Sequence, residues 1–291
     1  DYYDKLTDPL LAAVSVPSSV GSKRVMTNVG SQRTQGVSGT VKYSPVYHPE
    51  ERINWTLSAS FKHQKAKYED IGNSLDQFNK ENLNTSLVRY YDGGSPTALW
   101  AVRSLGINPS DGRELFLTKE GTYTFEYDTE DEVVVGNSEP KLEGVLGSTL
   151  YWKGFSFSLY FRYSLGADVF TEATYNKVEN ISLAGLKSNQ DKRALHDRWQ
   201  KPGDHAKFKG ISLTETTPIS SRFVLRENYI KAESISVGYD FESQAVQKLG
   251  IQSLRLQANT TDLFRISSIK EERGIEYPFA RSFSFSLSAM F

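Results

Sequence analysis

The chain has 291 residues with almost equal numbers of basic and acidic side chains, 34 against 35, and it contains no cysteine. This balance gives no reason to expect nucleic acid as a partner, and the lack of thiols excludes a disulfide framework or a thiolate metal site. The mean hydropathy of −0.47 and the lack of a long apolar run exclude a transmembrane helix. Membrane-crossing β-strands stay open, because they alternate apolar and polar residues.

Alternation of apolar and polar residues predicts strands at intervals along the chain. A strand sends successive side chains to opposite faces, so each run predicts one apolar and one polar face. The first run reads as the end of a strand whose beginning is missing, which makes eight strands in all. The predicted strands lie at 1–5, 37–44, 53–61, 144–152, 155–165, 235–241, 254–260 and 280–291.

The connections between these strands alternate in length. The shorter ones are 46–52, 153–154 and 242–252, and the second of them is a tight turn around Lys153-Gly154. The long, polar ones are 6–35, 64–140, 169–221 and 265–279. In bacterial outer-membrane barrels short turns face the periplasm and long loops face outside. With the last residue at the periplasmic rim, every long segment becomes an extracellular loop.

The closing strand has the clearest pattern. Its apolar face carries Phe283, Phe285, Leu287 and Phe291. We expect these four residues to face lipid and to form the terminal signal for barrel assembly, while Ser284 and Ser286 face the lumen. Arg162 belongs to the polar set of its own strand and is also expected to face the lumen, since an arginine on an apolar face would need a buried partner.

These patterns predict an all-β fold, an antiparallel transmembrane β-barrel. Two alternatives remain. Eight strands can close around a side-chain-filled interior, so the chain could be an autonomous small outer-membrane barrel that acts as an adhesin, a surface-binding protein or a membrane enzyme. It could also be a soluble β-sandwich that serves as a binding module.

Nine short blocks follow one another along the chain. They are DYYD at 1–4 with Leu10-Leu11 and Val16-Pro17, NVG at 28–30 with Gly36-Val37, GINPSDG at 106–112, VVGNSEPK at 134–141, YWKGF at 151–155, RWQKPGD at 198–204, SSRF at 220–223 with Tyr229-Ile230-Lys231 and Val237-Gly238-Tyr239, TDLF at 261–264, and YPFARSF at 277–283. In order and spacing they resemble the SusC/RagA-type TonB-dependent outer-membrane transporters. Ser38 departs from the pattern, because the family has an acidic residue there.

The resemblance implies that residues 1–291 are the C-terminal part of such a barrel, about its last eight strands of 22, with a plugged lumen. The signal peptide, plug, TonB-contacting region and remaining barrel strands would precede Asp1. It further implies a multi-pass protein in the outer membrane of a Gram-negative bacterium. Such a protein imports oligosaccharides or peptides beneath a SusD-like surface lipoprotein and draws energy from TonB. It implies neither an enzyme nor a cofactor.

Four aromatic residues of the long loops are candidates for contact with a substrate or a partner. They are Tyr90, Tyr91, Trp100 and Trp199. Such rings could stack on sugars or pack on peptides. They could equally pin one loop to another or contact a partner protein, and the sequence does not separate these roles.

No catalytic, cofactor or metal site is predicted. The four histidines, at positions 48, 63, 196 and 205, lack metal-ligand spacing. The acidic run Asp128–Glu132 could hold calcium but lacks the alternating ligands of a calcium loop, so a solvated loop is favoured. GINPSDG is a turn by its Pro, Asp and Gly content and lacks the lysine of a phosphate loop.

Overall fold

The structure is a computed structural model that describes residues 1–15, 24–72, 75–212, 214–241, 250–270 and 281–291. The strands are β1 (Tyr2–Thr7), β2 (Leu11–Ser15), β3 (Arg24–Asn28), β4 (Ser31–His48), β5 (Ile53–Glu69), β6 (Ala98–Ile107), β7 (Glu114–Leu117), β8 (Tyr123–Thr124), β9 (Glu132–Asn137), β10 (Leu142–Trp152), β11 (Phe155–Phe170), β12 (Val224–Phe241), β13 (Ser253–Thr261), β14 (Arg265–Ser267) and β15 (Phe283–Met290). The helical segments are α1 (Asp76–Glu81), α2 (Arg193–His196), the π-helix Thr174–Glu179 and the 3₁₀ turns Pro49–Glu51, Thr129–Asp131, Gly185–Lys187 and Ser221–Phe223. In the described ranges no helix is both long and apolar enough to cross a membrane.

One large antiparallel sheet, which we call the wall, organises the molecule. Its order is β1-β4-β5-β10-β11-β12-β13-β15, with β14 added beside β12. Each strand of this order pairs with the preceding and following wall strands of the sequence, so the wall is a meander. These eight strands correspond to the eight that alternation predicts, and the prediction of an antiparallel all-β fold is confirmed.

The register gives the wall one apolar and one polar face. Phe157 of β11 lies opposite Leu150 of β10 and Val237 of β12, and the match continues through Ala258 to Phe285 of β15. The apolar face includes Val41, Tyr43, Trp55, Leu57, Leu146, Leu150, Phe155, Phe157, Leu159, Phe161, Val237, Tyr239, Leu256, Ala258, Phe283, Phe285 and Leu287. The polar face includes Thr40, Thr56, Ser58, Thr149, Ser156, Ser158, Tyr160, Arg162, Ser236, Gln257, Ser284 and Ser286.

The apolar face is not covered by any other described part of the chain. Phe285 is 76% exposed, Leu287 68% and Tyr43 65%. A soluble sandwich would bury these side chains under a second sheet, because burial of such large apolar surfaces drives its folding. This exposure argues against the soluble alternative.

Aromatic rings cluster on the apolar face beside the short turns. The ring centroid of Phe155 lies 4.5 Å from that of Tyr239, which in turn lies 4.7 Å from Phe241. Trp152 stacks on Phe155 at 6.1 Å. Rows of this kind are typical of the interface between a membrane and water.

The predicted turn at Lys153-Gly154 is confirmed. Both residues have positive φ, 47° and 94°, and they join the paired residues Trp152 and Phe155. Two positive φ values identify the type I′ turn, whose twist matches that of a hairpin. The first predicted turn is partly wrong, because β4 continues through Pro45 at a register shift and the turn comes only after His48. Proline, which lacks an N–H donor, is tolerated at such a bulge.

The wall strands extend further toward the long loops than predicted. Residues 31–35, 64–69 and 169–170 belong to β4, β5 and β11 rather than to loops, and β12 starts at Val224, well before the predicted 235. The reason is physical. The added parts of β4 and β5 are mostly polar on both faces, and the added part of β12 has apolar residues on both faces, as in Val224-Leu225 and Tyr229-Ile230, so alternation no longer marks these strands.

The long connections have structure of their own. Residues 70–141, which we call loop A, contain α1 and a four-stranded sheet of order β8-β7-β6-β9. Residues 171–223, loop B, contain the π-helix and α2. A buried cluster around Val178 and Phe208 forms the core of loop B. Loop A is seated on the end of β5 through a cluster that includes Tyr68 and Ile71.

Several predicted features lie wholly or partly outside the described residues. They are the end of the first block at Val16-Pro17, most of the turn 242–252, the second half of the loop 265–279, and the start of the YPFARSF block.

Candidate functional site

Trp199 pins loop B to loop A. Its indole N–H donates to the carbonyl of Pro109 at 3.0 Å, and the amide of Gly203 donates to the same carbonyl at 2.8 Å. Gly112 lies against the indole so closely that a Cβ there would come within 2.5 Å of the ring. The GINPSDG and RWQKPGD blocks therefore interlock, and Trp199 takes the loop-to-loop role that the sequence left open.

Tyr90 is also a packing residue. Its ring lies 5.4 Å from Tyr68 and 5.5 Å from Phe78, against the cluster that seats loop A. The side chain of Asn79 bonds both the amide and the carbonyl of Tyr90, at 2.9 Å and 2.7 Å. Because its ring is packed and its backbone is hydrogen-bonded, Tyr90 contributes to the core of loop A.

Tyr91 and Trp100, by contrast, meet at the surface. Their ring centroids are 5.1 Å apart at an angle of 54°, and Tyr91 is 41% exposed. They line an open cleft of about 1060 Å³ in loop A, which we call the aromatic cleft. Its other lining residues are Asp76, Asn79, Lys80, Leu83, Lys119, Thr129, Glu130, Glu132, Val133 and Val134. Two rings, apolar walls and charges of both signs make it suited to an amphipathic ligand.

A buried ion pair supports the floor of the aromatic cleft. Arg89 donates two parallel hydrogen bonds to Glu132, at 3.0 Å and 2.8 Å, and its side chain is 1% exposed. Two further Arg89 donations, to the carbonyls of Ser86 and Val88, complete its bonding. Burial raises the pKa of Glu132, and Arg89 opposes that shift. The pair fixes the first residue of β9 to the segment before Tyr91.

The SSRF block forms a junction that the sequence reasoning did not anticipate. Arg222 donates to two carboxylates, Glu114 of loop A and Glu179 of loop B, each at 2.9 Å from Nη2. Ser220 donates to Glu114 at 2.6 Å. Phe223 is buried under Phe170 and Tyr175. Burial acts against the charge of Arg222, but the bonds to Glu179 and Glu114 outweigh it and raise the pKa of Arg222.

Arg198 holds loop B together from within. Its guanidinium donates to the carbonyls of Ala194 at 3.0 Å, Lys209 at 2.8 Å and Val178. Burial lowers the pKa of Arg198, and the charge of Glu179 opposes that shift. Arg198 and Arg222 both lie in motif blocks that the sequence analysis singled out, RWQKPGD at 198–204 and SSRF at 220–223. The glutamates have no local pattern, because they come from distant parts of the chain.

On the wall, Arg162 forms a bidentate ion pair with Glu233, with contacts of 2.5 Å and 2.9 Å. Glu233 is the extra residue at a register shift of β12. Ser284 and Ser286 lie opposite Asn259 and Gln257 on the same polar face as Arg162. That Arg162, Ser284 and Ser286 face a lumen stays a prediction.

The described residues contain no group of three or more His, Asp or Glu side chains placed to hold a metal ion. The acidic run is instead used in a turn. Asp128 accepts from the amide of Glu130 at 2.8 Å, and Asp131 accepts from the amide of Lys119 at 2.9 Å.

The chain has relatives among named proteins, although no protein-family model matches it. It is 22% identical to TonB-dependent receptor P39 of Formosa agariphila over 92% of its own length, and 25% identical to TonB-dependent receptor P26 of the same organism over 93%. It spans 30% and 28% of those two proteins, so it matches less than a third of their length.

Solved structures with a similar fold point the same way. The RagAB peptide transporter superposes on 92% of the chain with a TM-score of 0.73, and the closed-closed state of the RagAB peptide importer on 91% with 0.72. Sequence identity is 18% in both cases, and 29% of each longer chain is covered. The resemblance seen in the motif blocks is thereby confirmed. The chain is a homologue of the TonB-dependent receptors along most of its length and has the fold of part of the RagAB importer.

Proposed function

We propose that this chain forms part of the barrel wall of an outer-membrane importer of the SusC/RagA type. The observation that carries the proposal is the continuous apolar face, which runs from β4 to β15 and remains exposed opposite a polar face. Lipid would cover the apolar face, and Arg162, Ser284 and Ser286 would face the lumen. The complete barrel would have 22 strands around a plug.

The short turns lie at the periplasmic rim in this proposal, and loops A and B lie outside the cell. Phe283, Phe285, Leu287 and Phe291 would serve as the assembly signal at that rim. An autonomous eight-stranded barrel is less well supported. In the described sheet β1 and β15 stand at opposite ends of the order, and no pairing joins them.

The proposed activity is uptake of oligosaccharides or peptides together with a SusD-like surface lipoprotein. Energy would come from TonB through the plug. The fold shared with a peptide importer supports transport, and the aromatic cleft supplies a surface for substrate or partner. Tyr91 and Trp100 are the residues that would make this contact. Tyr90 and Trp199 would act only indirectly, through the packing of the loops.

The test uses intact cells that produce the full-length transporter. Pools of fluorescent oligopeptides and of fluorescent oligosaccharides are supplied separately, with and without an ionophore that dissipates the proton gradient. We expect ionophore-sensitive uptake of one pool, reduced at least tenfold by Tyr91→Ala combined with Trp100→Ala. Tyr123→Ala is the matched control, because Tyr123 is 73% exposed but does not line the cleft. If neither pool is taken up, or if the ionophore does not reduce uptake, the proposal of an energised importer is refuted.

Surface proteolysis of the same cells tests the orientation. A protease added from outside should cut within loops A and B and spare 49–52 and 153–154. Cleavage at these short turns without cell lysis would reverse the proposed topology.

A further inference from the structure

Besides the contact of Trp199 with the GINPSDG turn, loops A and B meet along a second line of contacts at the start of β12, which we call the seam. Val102 of β6 forms a β-bridge with Ser220, and the amide of Ser104 donates to the hydroxyl of Ser221 at 2.9 Å. Tyr127 donates to the carbonyl of Ile219 at 3.2 Å. These contacts join residues about a hundred positions apart, so they depend on how the loops are held together and not on local structure.

Arg222 is the charged centre of the seam. Its Nε and Nη2 reach Glu114 at 3.3 Å and 2.9 Å, and its Nη1 and Nη2 reach Glu179 at 3.1 Å and 2.9 Å. Both glutamate side chains are 0% exposed. One carboxylate belongs to loop A, the other to loop B, and Arg222 itself is two residues from the start of β12. Arg222 is thus part of loop B, and its guanidinium joins the last residues of loop B both to Glu179 within that loop and to Glu114 of loop A, next to the start of the wall strand β12.

The geometry requires an arginine. The planar guanidinium offers several donors in a fixed fork, whereas an ammonium group is a single point that cannot satisfy two carboxylates in this way. A neutral side chain would leave two buried carboxylates without the positive charge of Arg222. Buried carboxylates without a counter-charge are stabilised either by contact with water or by protonation. Opening of the seam is the direct way to regain water.

We infer that Arg222 is a positioning residue that locks loops A and B into one body. With the lock closed, the two loops move together, and the aromatic cleft of loop A keeps a fixed place over the wall. The lock itself does not depend on transport. Its consequence for the cleft rests on the proposed function.

The first experiment is hydrogen exchange on the full-length transporter in lipid vesicles. Arg222→Gln should speed exchange of the seam segments 98–107 and 219–223 at least tenfold, with the wall strands unchanged. Arg222→Lys should give an intermediate increase. Arg198→Gln is the matched control, because Arg198 is also buried but binds only carbonyls of loop B among the described residues. It should speed exchange in loop B and spare 98–107.

The second experiment separates a lost lock from simple unfolding. Ser104→Cys and Ser221→Cys place two thiols at the seam in a stretch of 291 residues that has no other cysteine. In the Arg222→Gln background, oxidation should restore slow exchange in both loops, and reduction should abolish the restoration. In the Arg198→Gln background, oxidation should leave loop B exchanging fast.

Two outcomes would overturn the lock. Seam exchange that stays at the wild-type rate in Arg222→Gln would show that Arg222 does not hold the seam. Fast exchange that persists after the disulfide has formed would show that the loops had unfolded internally and had not separated. Neither outcome depends on uptake, so failure of the lock and failure of the transport proposal remain distinguishable.

Discussion

Backbone conformation accounts for particular residues in the family blocks. Asp262, in TDLF, has a φ of 49°, and asparagine and aspartate tolerate this left-handed region better than other non-glycine residues. At this point the strand that pairs with β12 changes from β13 to β14. The block therefore marks a break in a wall strand, and the backbone conformation accounts for an aspartate at position 262.

Gly112 provides a residue-scale prediction about the interlocked blocks. Its φ is 73°, and a Cβ would come within 2.5 Å of the Trp199 ring. Gly112→Ala should destabilise the GINPSDG turn of loop A. We expect a cost of about 1 kcal/mol for the left-handed conformation and about 1–3 kcal/mol for overpacking against the indole. The measurement is hydrogen exchange over 106–112 and 198–204.

Gly93 is the control for that substitution. It has the same φ of 73°, but nothing lies within 4 Å of its Cβ position. Gly93→Ala should show the conformational cost alone. Equal effects at both positions would mean that contact with Trp199 contributes nothing.

The ion pair of Asp191 predicts a pH dependence in loop B. A hydrogen bond from Arg193, at 2.6 Å, lowers the pKa of Asp191 to about 2. In the unfolded chain the pKa of aspartate is about 3.9. The pair thus stabilises loop B fully above about pH 4, and its contribution is lost as the pH falls through about 2.

Asp191→Asn tests whether the stability of loop B falls with decreasing pH because of this ion pair. Because the carboxylate is 30% exposed, we expect a loss of only about 0.5–1 kcal/mol at pH 7. At pH 2, where about half of the folded-state carboxylate is protonated, the loss should be much smaller than at pH 7. Exchange rates over 191–198, corrected for the intrinsic effect of pH, measure both values. An equal penalty at the two pH values would contradict an electrostatic origin.

At the scale of elements, the two faces of β15 predict opposite responses to charge. Leu287 lies opposite Leu256 on the apolar face, and its neighbour Ser286 lies opposite Gln257 on the polar face. Leu287→Arg should cost about 2–4 kcal/mol if this position is near the bilayer midplane. Ser286→Arg should cost little. The free energy of unfolding of the full-length protein in bilayers decides between the two faces, and a larger loss at Ser286 would invert the assignment of the faces.

The wall also explains why the strands predicted from the sequence end too early. Apolar alternation marks the part of β5 from Ile53 to Phe61, but the same strand continues to Glu69. On the face that was apolar, the continuation carries Lys65, Lys67 and Glu69, which pair with polar residues of β4. Strand pairing persists there through backbone hydrogen bonds, which need no apolar pattern.

At the scale of the whole molecule, the two end strands of the wall determine whether residues 1–291 can be stable alone in a membrane. β1 pairs with β4 and β15 pairs with β13, and in the described sheet each has a second edge that meets no other strand. In hydrocarbon every unsatisfied backbone group costs several kcal/mol, so an open sheet is not viable there. Residues 1–291 refolded alone into vesicles should therefore aggregate or form oligomers. Native mass measurement and heat-modifiable migration test this, and a monodisperse monomer would favour the autonomous barrel.

The amino-acid sequence by itself determined the existence of the eight wall strands, their two faces, the tight turn at Lys153-Gly154 and the resemblance to TonB-dependent receptors. These features are local or appear as short blocks, so each can be recognised within about ten residues. The tertiary structure alone separated Tyr91 and Trp100, at an open cleft, from Tyr90 and Trp199, in packed contacts.

Only the tertiary structure also brought Glu114 and Glu179 to one guanidinium. The reason is that loops A and B are stabilised by pairs such as Glu114 with Arg222, which are 108 residues apart. No periodicity in either segment encodes such a partner. The wall follows from local alternation along each strand, whereas the fold of the loops depends on contacts between residues that are far apart in the sequence.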